Sequence, residues 1–553
     1  MSTTDEAISA PQQRLLYNYE TYIWLLLVIV LLVRDPWNHT AYICIAHFAI
    51  RWLNEEKLNG KLPLPSTNDP KLFRVAPTTT ADRDGVAAAI VLVPVLLEAM
   101  LTKLHRDKFA TYAQTISLVL FSWGHWDATL LIPTVYAERV SNGELANILL
   151  FLTCWISTYS AIHTTPFLHK VFTWGEWMIV TSLFSIGCTE LTLKRIVNNQ
   201  TALSDLVAMA GIVGSVLAFS FARWASKSVW VRSVIIATVP YLTIEVALRK
   251  YAFKFLKNYP SQKTLPWLLD YLKGTEETLY VNKLIPTGFS SIFWVVYNAV
   301  VLVVMLPLSS RYLADVTISR KWFHLVAVLL FLPTTLSAPA FQTLSYAVGT
   351  SILLLVEVVR EHIKPVSQFF ENYLDASKGE TEISTMVISH LALLLGCAAP
   401  LWISRVLYNV KKPHIMQVFV GVWGLISIGV GDAVGAVVGK LVGKRPWGYQ
   451  RTVEGSLAMA GSMLVFYAAI ALSLREDLEW SIIVALIAAI VFTTLLEAYT
   501  TQNDNLVLPM AGLTMMLLVQ RIVAGPDSTP VRHHGGPNPG HGRPSIFSQN
   551  AAN

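Results

Sequence analysis

The sequence predicts an all-α, polytopic integral membrane protein, and three observations lead to this fold class. Of the 553 residues, 54% are hydrophobic, and the mean hydropathy is +0.49. Only 14% of the residues are charged, whereas a soluble domain has roughly 25%. About 15 apolar stretches are compatible with transmembrane helices, each of which needs roughly 20 residues to cross a bilayer. Together these observations indicate a chain that lies largely in lipid.

The apolar stretches define the predicted helices in chain order. Their cores are 21–33, 85–102, 112–136, 144–162, 172–190, 203–221, 228–248, 289–308, 322–336, 342–359, 386–404, 414–436, 456–474, 480–498 and 505–523. Several are shorter than the roughly 20 residues of a spanning helix. The segment 41–53 is also short, and we expect it to lie at the membrane interface.

Two long polar interruptions divide the chain. Residues 249–288 contain LPWLLDYL, which predicts a surface helix, and residues 361–385 form the second interruption. We therefore distinguish an N-terminal membrane region, 1–288, whose role the sequence leaves open, from a C-terminal membrane region, 289–524. The tail, 525–553, is rich in Gly, Pro, His and Ser, which predicts disorder.

Composition argues against several classes of partner and cofactor. The net charge is +6 without an aromatic and basic motif, so nucleic acid is not an expected partner. The four cysteines have no CxxC spacing, and we expect them to be small buried side chains rather than zinc ligands or disulfides. The N-terminus lacks the pattern of a cleaved signal peptide, so the first apolar segment is expected to be an uncleaved anchor. The oligomeric state stays open.

Polar residues of the C-terminal region gather on one predicted side of the membrane. If 437–455 faces the cytosol, alternation of the helices puts 309–321, 360–385 and 499–504 on the same side. The polar residues there and at the flanking helix ends are Arg320, Lys321, His324, Glu357, Arg360, Ser389, His390, Glu497, Asp504 and Asn505. The lysine-rich segment 249–288 falls on the opposite side, against the positive-inside tendency. The convergence predicts one active site at the cytosolic membrane surface.

Asp432 lies at the end of the otherwise apolar run VFVGVWGLISIGVG. An ionisable residue within a membrane helix costs about 2.5–3.5 kcal/mol on insertion scales, so it is a functional candidate. We predict that Asp432 binds Mg²⁺ or another divalent cation, because Mg²⁺ takes one or two carboxylates together with substrate phosphates. The alternative is an aspartate at the membrane surface with no ligand.

A glycine-rich, basic segment follows Asp432. Four glycines recur every four residues: Gly431, Gly435, Gly439 and Gly443. This spacing is typical of closely packed helices, and it also lets backbone amides approach a phosphate chain. The cations that follow are Lys440, Lys444, Arg445 and Arg451. They favour a triphosphate ligand, with an ordinary cytosolic basic loop as the alternative, and neither a Walker A nor a GxGxxG motif occurs.

Two further groups of residues complete the candidate site. Thr452 is a good N-cap for the next helix, with Glu454 in its first turn and Gly455 beside it; capping alone is the alternative for Thr452. Glu497 and Asp504 are seven residues apart, so they share one face if the helix continues. Asn505 adds an amide for coordination or orientation.

The segment SRKWFHL carries the remaining candidates. His324 lies one turn from Arg320 and Lys321, so the three could share a phosphate site, whereas an ordinary cationic anchor at a helix end is the alternative. Glu357 and Arg360 have the spacing of a simple ion pair. Ser389 and His390 lack the orienting acid and the turn that a nucleophilic dyad needs.

The C-terminal region resembles the dolichol kinase family. The matching pieces are SRKWFHL, LLLVEVVR, SHLALLLGCAAPLWI, GVGDAVGAVVGKLVGK, QRTVEGS and LLEAYTTQNDNLVLP, which cover roughly 315–515 in family order. The last piece is the most specific. An element like RTVEG is shared with polyprenol kinases, phytol kinases and phosphatidate cytidylyltransferases. The piece PWGYQRT departs from the commoner family pattern.

The resemblance implies CTP-dependent phosphorylation of dolichol, or another polyisoprenoid alcohol, to dolichyl phosphate and CDP. It implies that 429–455 binds CTP and that the protein works in the endoplasmic reticulum membrane, where dolichyl phosphate supplies the lipid carrier for protein N-glycosylation. Asp432, together with Glu497 or Asp504, is assigned to Mg²⁺ and to orienting the nucleophile. The basic residues would hold the triphosphate.

Two alternatives stay open at this point. A phosphatidate cytidylyltransferase-like enzyme would make a CDP-lipid and release pyrophosphate. A membrane transporter would carry polar residues at mid-membrane in two related halves, whereas here they lie at helix ends in one half.

Overall fold

The computed structural model describes most of the predicted membrane helices. The described residues are 10–56, 86–104, 172–190, 203–225, 228–249, 264–273, 290–312, 316–360, 363–365, 386–408, 415–448, 451–474, 478–500 and 502–525, with the single positions Ile116, Val119 and Ile156. Within them lie sixteen α-helices, a π-helical segment and a short antiparallel hairpin.

Seven of the described helices belong to the N-terminal region. They are α1 (Ala10–Arg34), α2 (His39–Glu56), α3 (Val86–Leu104), α4 (Trp174–Glu190), α5 (Leu203–Ala225), α6 (Val229–Ala247) and α7 (Thr264–Lys273). The last of these contains LPWLLDYL, and its Leu265 and Leu269 are exposed. This agrees with the surface helix that the sequence predicts.

The other nine described helices belong to the C-terminal region. They are α8 (Ser291–Tyr312), α9 (Val316–Ser337), α10 (Pro339–Arg360), α11 (Met386–Leu407), α12 (Ile415–Gly424), α13 (Ala433–Val442), α14 (Val453–Leu474), α15 (Trp480–Tyr499) and α16 (Asp504–Ala524). Helices α12 and α13 are joined without a break by the π segment, Leu425–Asp432. Strands β1 (Pro446–Trp447) and β2 (Arg451–Thr452) form the hairpin before α14.

The predicted class, an all-α integral membrane protein, is confirmed. Among the described residues, six helical segments are long and apolar enough to cross a membrane: Val229–Ala247, Pro339–Val356, Ile415–Val442, Val453–Leu474, Trp480–Tyr499 and Asp504–Ala524. The stretches 112–136 and 144–162 lie almost wholly outside the described residues. The total of about 15 spanning helices therefore stays a prediction.

Two predicted boundaries are wrong in ways that affect the site. The segment 437–455, expected to be a loop, is helical as far as Val442 and then turns through the hairpin. Helix α9 begins at Val316 rather than near 322. Lys321 and His324 are therefore inside a helix instead of at its end, because VTISRK before the apolar run is itself helical.

Helix α16 lies at the centre of the C-terminal bundle, with every residue from Asn505 to Leu518 buried. Glycine lets two neighbouring helices approach it closely. A Cβ on Gly396 of α11 would lie 1.9 Å from the carbonyl oxygen of Asn505, and a Cβ on Gly424 would lie 2.2 Å from the carbonyl oxygen of Gly396. These close backbone approaches bring α11, the π segment and the start of α16 together.

The cysteines that the structure describes in detail fit the expectation of small buried side chains. Cys44 and Cys397 are free thiols and fully buried. Cys44 lies in α2, and Cys397 lies in α11. Neither contributes to the candidate site described below.

Candidate active site

The first half of the site joins α9 to the π segment. The ammonium group of Lys321 donates a hydrogen bond to Asp432 Oδ2. His324 Nδ1 lies 3.4 Å from the same oxygen and 3.1 Å from the carbonyl oxygen of Ile428. One helical turn separates Lys321 from His324, so both side chains face the π segment.

The sequence SIGVGD explains why the helices can approach at this point. A Cβ on Gly429 would lie 2.4 Å from Val328 of α9, and a Cβ on Gly431 would lie 2.9 Å from Met463 of α14. The two glycines thus allow α9 and α14 to pack closely on two sides of the π segment. Asp432 is the last residue of that segment, and π turns in proteins often occur at functional sites.

Asp432 keeps one oxygen atom for a ligand. The residue is 1% exposed, and its Oδ1 is buried without a hydrogen-bond partner. Asn505 Oδ1 is a second buried acceptor without a partner. A buried unsatisfied acceptor costs about 1–3 kcal/mol, so each of these two atoms would be stabilised by a ligand that donates to it or binds it.

The second half of the site is centred on Arg451. Its Nε lies 2.5 Å from Glu497 Oε1, and a terminal nitrogen lies 3.8 Å from Asp504 Oδ2. Glu497 is in the last turn of α15, whereas Asp504 is the first residue of α16. The helix does not continue between them, because Thr500 has an extended backbone. Glu497 and Asp504 therefore approach from two helices, contrary to the single helical face considered above.

Electrostatics link the two halves through Arg451. Burial lowers the pKa of its guanidinium, but the nearby carboxylates of Glu497, Asp432 and Asp504 raise it more, so the pKa lies above its ordinary value. Arg451 is thus a permanent cation beside all three carboxylates. The two halves together form one charged site between α9, the π segment, the hairpin, α15 and α16.

The residues after Arg451 hold the hairpin in place. Thr452 Oγ1 accepts a hydrogen bond from the backbone N–H of Gly455 at 3.2 Å, which confirms the predicted N-cap. The carboxylate of Glu454 accepts hydrogen bonds from the backbone N–H groups of Lys444 and Arg445, at 3.1 and 3.2 Å. Thr452 and Glu454 therefore have structural roles that need no ligand.

The regularly spaced glycines pack against α14. A Cβ on Gly435 would lie 3.1 Å from the carbonyl oxygen of Gly455, and a Cβ on Gly439 would lie 3.0 Å from Thr452 Oγ1. A Cβ on Gly443 would also meet Thr452, at 2.6 Å. Close helix packing therefore accounts for the spacing, and a phosphate contact of these glycines stays a prediction.

The remaining predicted residues lie around this site. Lys440, Lys444 and Arg445 are exposed at the end of α13 and at the start of the hairpin, where solvent can reach them. The side chains of Arg320, Glu357, Arg360 and Ser389 lie outside the described residues. His390 packs edge-on against Phe323, with ring centroids 5.1 Å apart.

The donors present suit a cation that takes part of its ligands from a substrate. Among the residues that the structure describes, no group of three His, Cys, Asp or Glu side chains is arranged to hold a metal ion. Mg²⁺ usually binds one or two carboxylates and completes its shell with water and substrate phosphates. The unpaired Oδ1 of Asp432 fits that requirement, and Asn505 Oδ1 is the other unpaired acceptor.

The sequence did not predict the hydrogen-bond network that supports the turn between α15 and α16. It involves Thr173, Glu176, Thr500, Gln502 and Asn503. The sequence contains one sign of this network: T-x-x-E at 173–176, before an apolar run, is the pattern of a capping box. That signal predicts the start of α4, but it gives no indication that α4 contacts a turn more than 300 residues away.

The fold and the site define an α-helical, multi-pass membrane protein with a charged site at the meeting point of its C-terminal helices. Comparison with known proteins gives a family resemblance. Dolichol kinase of Homo sapiens is 25% identical over 405 residues, 70% of this chain and 72% of that protein. Dolichol kinase EVAN of Arabidopsis thaliana is 29% identical over 236 residues, 41% of this chain and 40% of that protein.

A dolichol kinase of Schizosaccharomyces pombe is 32% identical over 196 residues, 34% of this chain and 37% of that protein. The matches to the plant and yeast proteins thus cover less than half of those relatives. No family model matches the chain, and no solved structure matches it significantly. The matches confirm the resemblance to the dolichol kinase family.

Proposed function

We propose that this protein transfers the γ-phosphoryl group of CTP to the hydroxyl group of dolichol, which gives dolichyl phosphate and CDP. The observation that carries the proposal is the meeting of Lys321, Asp432, Arg451, Glu497 and Asp504, five charged residues from separate segments, in one site. The relatives named dolichol kinase support the substrate. CTP as donor is supported by the sequence resemblance.

The charges of the site suit phosphoryl transfer, which depends on positioning and on neutralising the charge of the transferring group. Lys321 and His324 hold Asp432, whose free Oδ1 would bind a divalent cation. That cation, when bound, would offset negative charge on the phosphates. Arg451, oriented by Glu497 and Asp504, would contact the triphosphate, and one of these two carboxylates would accept the proton of the alcohol.

The proposed entry routes rest on this arrangement, and the proposed compartment rests on the family resemblance. The isoprenoid chain would reach the site from the bilayer, while CTP would enter from water past the exposed Lys440, Lys444 and Arg445. We place the enzyme in the endoplasmic reticulum membrane with this site facing the cytosol. Its product would serve as the lipid carrier for N-glycosylation.

A labelled-nucleotide assay tests the proposal. Membranes that contain the protein are incubated with Mg²⁺, dolichol and CTP labelled either at the γ- or at the α-phosphate. The γ-label should enter the lipid with release of CDP, and the Asp432→Asn variant should transfer it about 10²- to 10³-fold more slowly. Entry of the α-label with release of pyrophosphate would identify a cytidylyltransferase instead. No label in lipid from either nucleotide would reject a group-transfer enzyme.

A further inference from the structure

The turn between α15 and α16 connects two acidic residues of the site. Glu497 lies three residues before it, and Asp504 directly follows it. Thr500 and Asn503, at its two ends, both have extended backbones. Asn503 caps α16, since its side-chain oxygen accepts a hydrogen bond from the backbone N–H of Asn505 at 3.1 Å. The conformation of this turn therefore fixes where Asp504 and Asn505 lie.

Helix α4 of the N-terminal region holds the turn through its capping box. Thr173 and Glu176 cap the helix reciprocally: Glu176 Oε2 accepts from the N–H of Thr173 at 2.9 Å, and Thr173 Oγ1 accepts from the N–H of Glu176 at 3.2 Å. The other carboxylate oxygen of Glu176 accepts from the N–H of Asn503 at 2.5 Å. Thr173 Oγ1 also donates to Gln502 Oε1 at 2.7 Å.

Helix α1 holds the other end of the same turn. Thr500 Oγ1 donates a hydrogen bond to Glu20 Oε1 at 2.9 Å, and it accepts one from the backbone N–H of Gln502 at 3.1 Å. The ring of Tyr19 also packs against Tyr499, with centroids 5.2 Å apart. Glu20 is therefore tied to the residue that ends α15.

These contacts are buried and lie far apart in sequence. Glu20 is 3% exposed, and Thr173 and Glu176 are fully buried. Hydrogen bonds to a charged carboxylate are stronger than those between neutral groups, and breaking one in a buried site leaves a polar group without a partner. A terminal nitrogen of Arg451 lies 3.8 Å from the carboxylate of Asp504. A loose turn would let Asp504 move away from Arg451.

We propose that Glu176 and Glu20 are positioning residues for the reaction, and that α1 and α4 act as a clamp that fixes Asp504 and Asn505 in the site. This inference rests on the proposed function and gives the N-terminal region a role in it. The clamp does not contact substrate. It acts through the turn, so its loss should affect the chemical step more than the binding of CTP or dolichol.

The main experiment compares Glu176→Gln with Ser182→Ala in the full-length protein in membranes. The Gln variant has a single acceptor oxygen for two backbone N–H groups, so it loses one of the two bonds. Ser182 is the matched control, because it lies on the same helix and is fully buried, and its hydroxyl has no hydrogen-bond partner. We expect kcat for dolichol phosphorylation to fall by about 10- to 100-fold in Glu176→Gln, since small misplacements at a site can have effects of this size.

Both KM values should change by less than about threefold in Glu176→Gln, and Ser182→Ala should behave as wild type. Hydrogen exchange provides a second readout that needs no activity. The backbone amides of 502–505 should exchange faster in Glu176→Gln without a general increase over α16. An unchanged kcat, or unchanged exchange of this turn, would overturn the clamp.

Two variants of Glu20 guard against a folding defect in α4. Glu20→Gln keeps an acceptor for the hydroxyl of Thr500 and should retain most of the turnover, whereas Glu20→Ala should reproduce the kcat defect and the faster exchange at 500–505. If Glu176→Gln does not fold, the comparison of Glu20→Gln with Glu20→Ala tests the clamp. Equal turnover in these two variants would contradict it. If wild type itself transfers no phosphate to dolichol while exchange still responds, the proposed function fails and the clamp stands as a structural feature.

Discussion

The two halves of the site are built in different ways. Lys321 and Asp432 belong to the interiors of helical segments, α9 and the continuous rod Ile415–Val442. Arg451, Glu497 and Asp504 belong instead to a two-residue strand, a last helical turn and a helix start. In a helix interior the backbone groups bond to one another, whereas a helix end leaves backbone groups that need other partners.

This difference explains where the supporting contacts are found. Asp432 is held by side chains of one neighbouring helix, α9. The Arg451 half depends on caps from Thr452 and Asn503 and on the buried Glu20 and Glu176. Helix ends are more exposed, as the 30% exposure of Asp504 against 1% for Asp432 shows. In the proposed reaction, the nucleotide would thus reach the site at the half where the backbone needs the most partners.

Removal of divalent cations should have the largest effect, a complete loss of dolichol phosphorylation, because the charge on the transferring group would no longer be offset. Mg²⁺ titrations of Asp432→Asn and Asp504→Asn would show which half holds the cation. We expect a raised Mg²⁺ requirement in the Asp432 variant alone. A raised requirement in the Asp504 variant alone would assign the cation to the other half, and full activity in a chelator would exclude a metal role.

The next largest effect is expected for Asp432→Asn, a fall in kcat of about 10²- to 10³-fold, since the variant weakens the stabilisation of charge during transfer. The change also leaves Lys321 without its counter-ion, and breaking a buried pair costs about 3–5 kcal/mol of stability. The double variant Lys321→Met/Asp432→Asn separates the two effects. It should regain thermal stability without regaining turnover; recovery of turnover would show that Asp432 is structural.

A smaller effect is expected for Arg451→Gln, an increase of about tenfold to more than hundredfold in the KM for CTP. This corresponds to the loss of a charge-assisted bond worth about 1.5–3 kcal/mol. The KM for dolichol should barely change. Arg451→Lys should not restore CTP binding, because an ammonium group cannot contact two carboxylates as a planar guanidinium does. An unchanged KM for CTP with a raised KM for dolichol would place Arg451 in the lipid site.

The smallest effect is expected for Lys444→Gln and Arg445→Gln, a few-fold increase in the KM for CTP at low ionic strength. Both side chains are exposed, so their effect should vanish near 1 M salt, where the Debye length is about 3 Å. The Arg451→Gln defect should persist at that salt concentration, because Arg451 is only partly exposed and is held beside the carboxylates of Glu497 and Asp504. A defect of the exposed cations that resists salt would indicate direct contacts with CTP.

The positions of the helices were largely predictable, whereas their contacts were not. The apolar stretches 480–498 and 505–523 match α15 and α16 within a few residues, because a membrane helix is specified by local composition. The π segment was not predictable, since its apolar residues fit an α-helix equally well. The glycines every four residues suggested either close helix packing or contact with a phosphate chain. The atoms near Gly435 and Gly439 support packing against α14.

The identity of the candidate residues was predictable for a similar reason. An acid such as Asp432 in an apolar run is conspicuous because the bilayer penalises it, and Arg451 and Glu497 stand out beside apolar helices. Their pairing was not predictable. Glu454, which was expected near a ligand, holds the hairpin instead, because its place in the first turn of α14 brings it to the N–H groups of Lys444 and Arg445.

The sequence by itself determined the class of protein, the helices of the C-terminal region and the ionisable residues that stand out within them, because each depends on residues that are neighbours along the chain. Only the tertiary structure decided that Lys321 pairs with Asp432, 111 residues away, and that Glu176 reaches Asn503, 327 residues away. Both contacts depend on which helices pack together. In lipid, helix packing is directed by small residues and by polar side chains that face one another, and the order of residues along a single helix does not reveal its neighbour.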